Sequence, residues 1–123
     1  MAYTACVLDK DSADALVAWL HENFEVGGFE VICHHMPVQM GPIADSMVAH
    51  REGHRHELRV VRAGRLDGVI AVEVDTVVPS KNARKHITLA VDRLNGWKPV
   101  QSNNIAEWKD IDPFTLWGVV QEC

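Results

Sequence analysis

The sequence predicts an α+β fold on a largely antiparallel sheet, and three observations predict it. Segments of strand and helix character follow one another in the order β-α-β-β-β-β-α-β. Two β-branched runs, Leu58 to Arg62 and Val69 to Val74, lie close enough in the chain to form a hairpin. No internal repeat, linker or low-complexity stretch divides the 123 residues, so residues 1–123 are expected to form a single domain.

Each element has its own signal. Tyr3 to Leu8 is apolar and bounded by Asp9, Asp11 and Ser12, which predicts a strand running into a helix capped by Asp11 or Ser12. Ala13, Leu16, Val17 and Leu20 recur at helical spacing and form a stripe that should pack on the sheet. Gly27-Gly28 breaks the chain, and Phe29 to Met40 reads as one strand ended by Gly41-Pro42. Ile43 to Gly53 has weak periodicity and reads as a loop. Ala63-Gly64-Arg65 separates the two β-branched runs and is the expected hairpin turn. Pro79 to Lys85 is turn-like, and His86 to Asp92 alternates Ile87, Leu89 and Val91 with His86, Thr88 and Ala90 as a strand does. Ser102 is placed to cap a short second helix that puts Ile105 and Trp108 on one face, and Phe114 to Val120 forms the last strand, just after Pro113.

Composition narrows the function classes. Apolar residues make up 47% and charged residues 24%, which suits a folded globular chain and excludes a disordered one. No apolar run approaches the ~18 residues of a membrane span. The start Met1-Ala2-Tyr3-Thr4 lacks the basic and apolar regions of a signal peptide, so a cytoplasmic protein is expected. Cys6, Cys33 and Cys123 are odd in number with no C-x-x-C pair, as expected of reduced thiols rather than a disulfide framework. The net charge of -5 argues against coating duplex DNA through a basic surface. Its distribution is uneven: 1–50 carries one basic and seven acidic residues, 51–98 ten and six, and 99–123 one and four. Anion binding is therefore expected, if anywhere, in the middle third.

Seven histidines are more than packing requires. His35 and His86 each open a similar tetrapeptide on an expected strand, His35-Met36-Pro37-Val38 and His86-Ile87-Thr88-Leu89. Residues i and i+2 of a strand share a face, so His86 points with Thr88 while Ile87 and Leu89 enter the core, and His35 points with Pro37 while Met36 and Val38 enter it. A half-buried strand histidine is ordinary; two in matching frames are less so. Two imidazoles facing one cleft suit general acid–base attack at phosphorus, because an ordinary imidazole titrates near ~6.5 and can serve in either form. In that setting the Thr88 hydroxyl would donate to a phosphate oxygen.

With His-hydrophobic-Thr-hydrophobic at 86–89 and its counterpart at 35–38, the chain resembles the two-histidine (2H) phosphoesterase superfamily. The wider pattern is similar to its small Swiss Army Knife RNA repair-like and tRNA ligase cyclic phosphodiesterase-like branch. The matching stretches are Tyr3-Thr4, Val31-Ile32-Cys33-His34-His35-Met36, Ser80-Lys81-Asn82 ahead of the second motif, and Lys98-Pro99-Val100-Gln101-Ser102-Asn103 leading to Trp108. The resemblance implies a two-lobed fold with two helices and a metal-independent phosphodiesterase without a cofactor. Its substrate would be a 2',3'-cyclic phosphate RNA end or a small cyclic nucleotide, with His35 and His86 as acid and base, Thr88 orienting the phosphate, and Tyr3, Pro37, Lys81, Lys85 and Asn103 as substrate contacts. One departure stands out: the family pattern puts Thr or Ser where this chain has Pro37, which removes a hydroxyl and calls for a bulge or strand end there.

Two other readings come from the same residues. A chain that kept the cleft but lost turnover through Pro37 would be a nucleotide-binding protein. His34 with His50, His54 and His56 would make a zinc site, imidazole being a common zinc ligand; no Cys or carboxylate stands at a recognised ligand spacing, so a solvated loop is the plainer account. His34 has the opposite parity from His35 and is expected behind the sheet. Lys81, Arg84 and Lys85 suit a solvated turn as well as a phosphate, Asn103 and Asn104 suit caps, and Trp97, Trp108 and Trp117 suit the core as well as a stacked base.

Overall fold

A computed structural model describes residues 3–42 and 54–123. It is α+β, and among the described residues it has seven strands in one antiparallel sheet, one α-helix and two 3₁₀ segments. In chain order the elements are β1 (Tyr3–Leu8), α1 (Lys10–Asn23), β2 (Glu30–Val31), β3 (His35–Met40), β4 (Arg55–Leu66), β5 (Val69–Asp75), β6 (His86–Val91) and β7 (Trp108–Glu122), with 3₁₀ segments at Arg93–Asn95 and Pro99–Asn104. The strand order is β2-β6-β5-β4-β7-β1-β3. No helix among the described residues is long and apolar enough to cross a membrane.

The apolar alternation of the strands and the stripe of α1 decide where the core lies. Leu16 and Leu20 are fully buried in one core cluster with Cys6, Met36, Leu58, Leu89 and Leu116. Strand β5 is buried on both faces, its Ile70, Val72 and Val74 on the α1 side and its Val69 and Ala71 in a smaller cluster with Val91 and Ile105 that Trp97 and Trp108 cover.

One feature of the topology positions the site. β2 pairs with β6 near one end of the sheet and β3 pairs with β1 at the other, yet only Ile32, Cys33 and His34 separate them. Those residues can span at most about 14 Å, so the two ends of the sheet must curl toward each other. The bridge is hydrogen-bonded to both sides: Ile32 N–H donates to Leu89 O (2.7 Å), Cys33 N–H to Thr88 O (3.2 Å), and Leu8 N–H to His34 O (2.9 Å). The bend falls at Cys33, which takes φ +43°.

The structure corrects several boundaries. The single strand expected over 29–40 is two strands, because the left-handed Cys33 breaks it so that its halves serve opposite ends of the sheet. The hairpin turns at Asp67-Gly68, where Asp67 takes φ +32°, and β4 runs straight through Ala63-Gly64-Arg65. Gly64 is a packing glycine: a Cβ there would come within 2.7 Å of Ile105 Cγ2 and 2.9 Å of Trp108. Helix α1 begins at Lys10 with Asp9 as its N-cap residue; the Asp9 carboxylate accepts from Arg55 Nε (2.6 Å), and the Ser12 hydroxyl accepts from Trp117 N–H (2.8 Å).

The second helix expected after Ser102 is a 3₁₀ helix with Ser102 inside it. β7 is longer than expected and includes Pro113, because three of its residues (111–113) lie opposite Val61 alone where the register with β4 shifts, and a missing N–H costs little in such a bulge. All seven strands join in one sheet. The loop reading of 43–53, with His50 and Arg51, falls outside the described residues.

Candidate active site

Strand parity and the curl of the sheet bring the two tetrapeptides to one place. His35 on β3 and His86 on β6 line the same cavity of about 340 Å³. Thr88, Pro37, Tyr3, Lys81 and Asn103 line it too. Met36, Val38, Ile87 and Leu89 are buried in the core, as the alternation requires. Val38 also reaches the cavity wall, because the register with β1 slips between Thr4 and Ala5 and leaves Val38 as a bulge directly after Pro37. Pro37 sits on the terminal strand of the sheet, where a residue without an N–H is tolerated, and its carbonyl accepts from Ser80 Oγ (2.8 Å).

The two histidines are held differently. His86 is 3% exposed, and its Nδ1 lies 2.9 Å from the Arg84 carbonyl oxygen. A carbonyl only accepts, so His86 Nδ1 carries a proton and donates, which leaves Nε2 as the nitrogen that can meet a ligand. Burial lowers the His86 pKa, and the Arg84 hydrogen bond opposes part of that shift. The Nδ1 of His35 lies 3.0 Å from Nδ1 of His34, and its ring stands 5.7 Å from that of Tyr3. Burial, then the neighbouring His34, then His86 push its pKa down to about 4. Both imidazoles are thus neutral at pH 7 in the free protein, the form that accepts a proton. Burial, and then Cys123, raise the Tyr3 pKa.

The Thr88 hydroxyl is buried and already engaged, 2.8 Å from Ser102 Oγ and 3.4 Å from the Pro99 carbonyl. The longer contact is weak enough to yield to a ligand oxygen. Ser102, 1% exposed, is the site residue that sequence reasoning missed: it looked like a helix cap, and nothing local pairs it with a threonine fourteen residues earlier. Gln39, Met40 and Val100 also line the cavity without having been singled out. Among the described lining residues there is no carboxylate and one lysine, Lys81, which suits an anion.

Other expected contacts lie elsewhere. Lys85 is not a lining residue; its Nζ donates to the Thr76 carbonyl (2.6 Å). Arg84 pairs with Glu73 (2.7 Å) and lies over Trp108. Trp97 covers Gly68, and Trp117 lies under Arg55. A second cavity of about 330 Å³, with Trp108 and Ser102 in its wall, adjoins the first across His86, Lys81, Asn82 and Asn103. His34 is exposed rather than behind the sheet, because β3 starts only at His35 and strand parity does not extend back to it. Among the described residues no three of His, Cys, Asp and Glu cluster as metal ligands would; His50 lies outside them.

No family model, characterised protein or solved structure matches this chain. The functional reading therefore rests on the site itself.

Proposed function

We propose that this chain is a metal-independent phosphodiesterase of the 2H phosphoesterase type, acting on a 2',3'-cyclic phosphate at an RNA end or in a small nucleotide. The observation that carries the reading is the convergence of His35 and His86, from strands far apart in the sheet order, on one cavity that has a lysine and no carboxylate among its described lining residues. His86, whose Nδ1 proton is held by a carbonyl, presents a bare Nε2 and is the general base: it takes a proton from water as the water oxygen attacks phosphorus. The P–O bond to one ribose oxygen breaks, and that oxygen takes its proton from His35, whose depressed pKa the bound phosphate anion raises. Thr88, steadied by Ser102, donates to a non-bridging oxygen. The protein would work in the cytoplasm with Cys6 and Cys33 as buried thiols.

A second reading, a nucleotide-binding protein without turnover, is favoured by one observation: Pro37 offers no hydroxyl, and that of Thr88 is already held by protein atoms. Turnover of a nucleoside 2',3'-cyclic phosphate in the presence of chelator separates the two. For the enzyme, His35→Ala and His86→Ala each reduce the rate by about 10²- to 10⁴-fold with circular dichroism unchanged. Binding without hydrolysis by the parent protein establishes the second reading, and activity lost to chelator and restored by zinc refutes both.

A further inference from the structure

The two imidazoles differ in what holds their Nδ1 atoms. His86 faces a carbonyl oxygen, a permanent acceptor, whereas His35 faces another imidazole, Nδ1 to Nδ1 at 3.0 Å with the rings at 80°. A single proton lies between two such nitrogens, and either ring can supply it. Tyr3 from β1 lies against His35, His86 from β6 acts on it, and Lys81 from the β5–β6 connection lines the same cavity; no carboxylate lines the cavity among the described residues. His34 is exposed, so its far nitrogen is open to water.

We infer that His34 is a positioning residue that sets which nitrogen of His35 carries the proton. Neutral His34 keeps its own proton on the solvated Nε2 and accepts from His35 Nδ1–H, which leaves His35 Nε2 bare toward the cavity. Protonated His34 carries hydrogen on both nitrogens and can only donate. The neutral His35 must then accept at Nδ1 and hold its proton on Nε2, which turns the cavity-facing nitrogen from an acceptor into a donor. No atom moves except the proton and its hydrogen-bond direction. The charge on His34 also opposes a second proton on His35.

The tautomer rests on the geometry of the pair, and its catalytic meaning rests on the phosphodiesterase reading above. In that reading, protonating His34 puts a hydrogen on the His35 nitrogen that faces the leaving ribose oxygen, and His34 can donate to His35 Nδ1 as that hydrogen is given up. The test is the imidazole nitrogen spectrum of the ¹⁵N-labelled full chain, followed from alkaline to acid pH. The expected result is that His35 changes from the Nδ1–H to the Nε2–H form in the same step in which His34 takes up its proton. In His34→Asp, whose carboxylate only accepts, His35 should keep Nδ1–H throughout. A His35 tautomer that stays constant while His34 titrates, or a step that persists in His34→Asp, overturns the inference. The measurement needs no turnover, so a tautomer step in a protein that fails to hydrolyse cyclic phosphates would refute the phosphodiesterase reading and leave this one standing.

Discussion

An anion seated against His35 is expected to bind with uptake of a proton, and the pH dependence of its affinity measures how far the site has shifted that group. The His35 pKa is pushed from 6.5 to about 4, chiefly by burial. If the anion binds the protonated ring, the apparent dissociation constant scales inversely with the protonated fraction. That fraction is about 10⁻³ at pH 7 and about 0.09 at pH 5 for a group titrating at 4, so affinity should rise about 90-fold over the two units. An ordinary imidazole would give only about 4-fold, because it is already a quarter protonated at pH 7. Below about pH 4 the gain should level off. Titration calorimetry with inorganic sulfate, whose own charge is constant over this range, reads the affinity directly. The same titration at pH 5 in buffers of different ionisation enthalpy should report about 0.9 proton taken up, against almost none for an ordinary imidazole. An affinity that changes less than about fivefold between pH 7 and 5, or no proton uptake at pH 5, would refute the argument that burial in this cavity keeps His35 neutral until an anion arrives.

The same shift carries a stability consequence of definite sign. A histidine whose folded pKa lies below its unfolded value stabilises the fold above pH 6.5 and loses that contribution as pH falls toward about 4. The partly exposed ring discounts the ideal figure to about 1 kcal/mol between pH 7 and 5, so urea unfolding should show a loss larger by that amount in the parent than in His35→Gln, which keeps the contribution of His86. Pro37→Thr restores a hydroxyl beside His35 on a terminal strand with a bulge next to it, so turnover should rise by less than the ~2.7 to 4 kcal/mol of single donors in other oxyanion sites. Steady-state rates decide this, and an unchanged rate means that the cleft is adapted to the proline. Ser102→Ala leaves the buried Thr88 hydroxyl with only the 3.4 Å contact to Pro99 and should cost about 1–3 kcal/mol in denaturant unfolding. A cost near zero would mean that the Ser102–Thr88 pair adds nothing.

Two kinds of information separate in this protein. The alternation of His86-Ile87-Thr88-Leu89, the stripe Ala13-Leu16-Val17-Leu20 and the placing of His35 opposite Met36 were determined by the sequence alone, because each depends on a backbone period that acts over a few residues. Pro37 likewise foretold a bulge through its own missing N–H. Where two segments meet far apart in the chain, local pattern carries no such information. Gly64 reads as a turn until Ile105 and Trp108 are seen to need its missing Cβ, and Ser102 reads as a cap until it is found against Thr88. Lys85 reads as a phosphate contact until Thr76 is seen to hold it. The meeting of His35 and His86 was decided in the same way. Their shared frame made a common cleft thinkable, but the cleft exists because Ile32, Cys33 and His34 tie the two ends of a seven-stranded sheet together, with a left-handed bend at a cysteine whose sequence context gives no sign of it. The cavity that results also sets the protonation of its histidines, since burial and the nearness of His34 and His86 exist only once the sheet has curled.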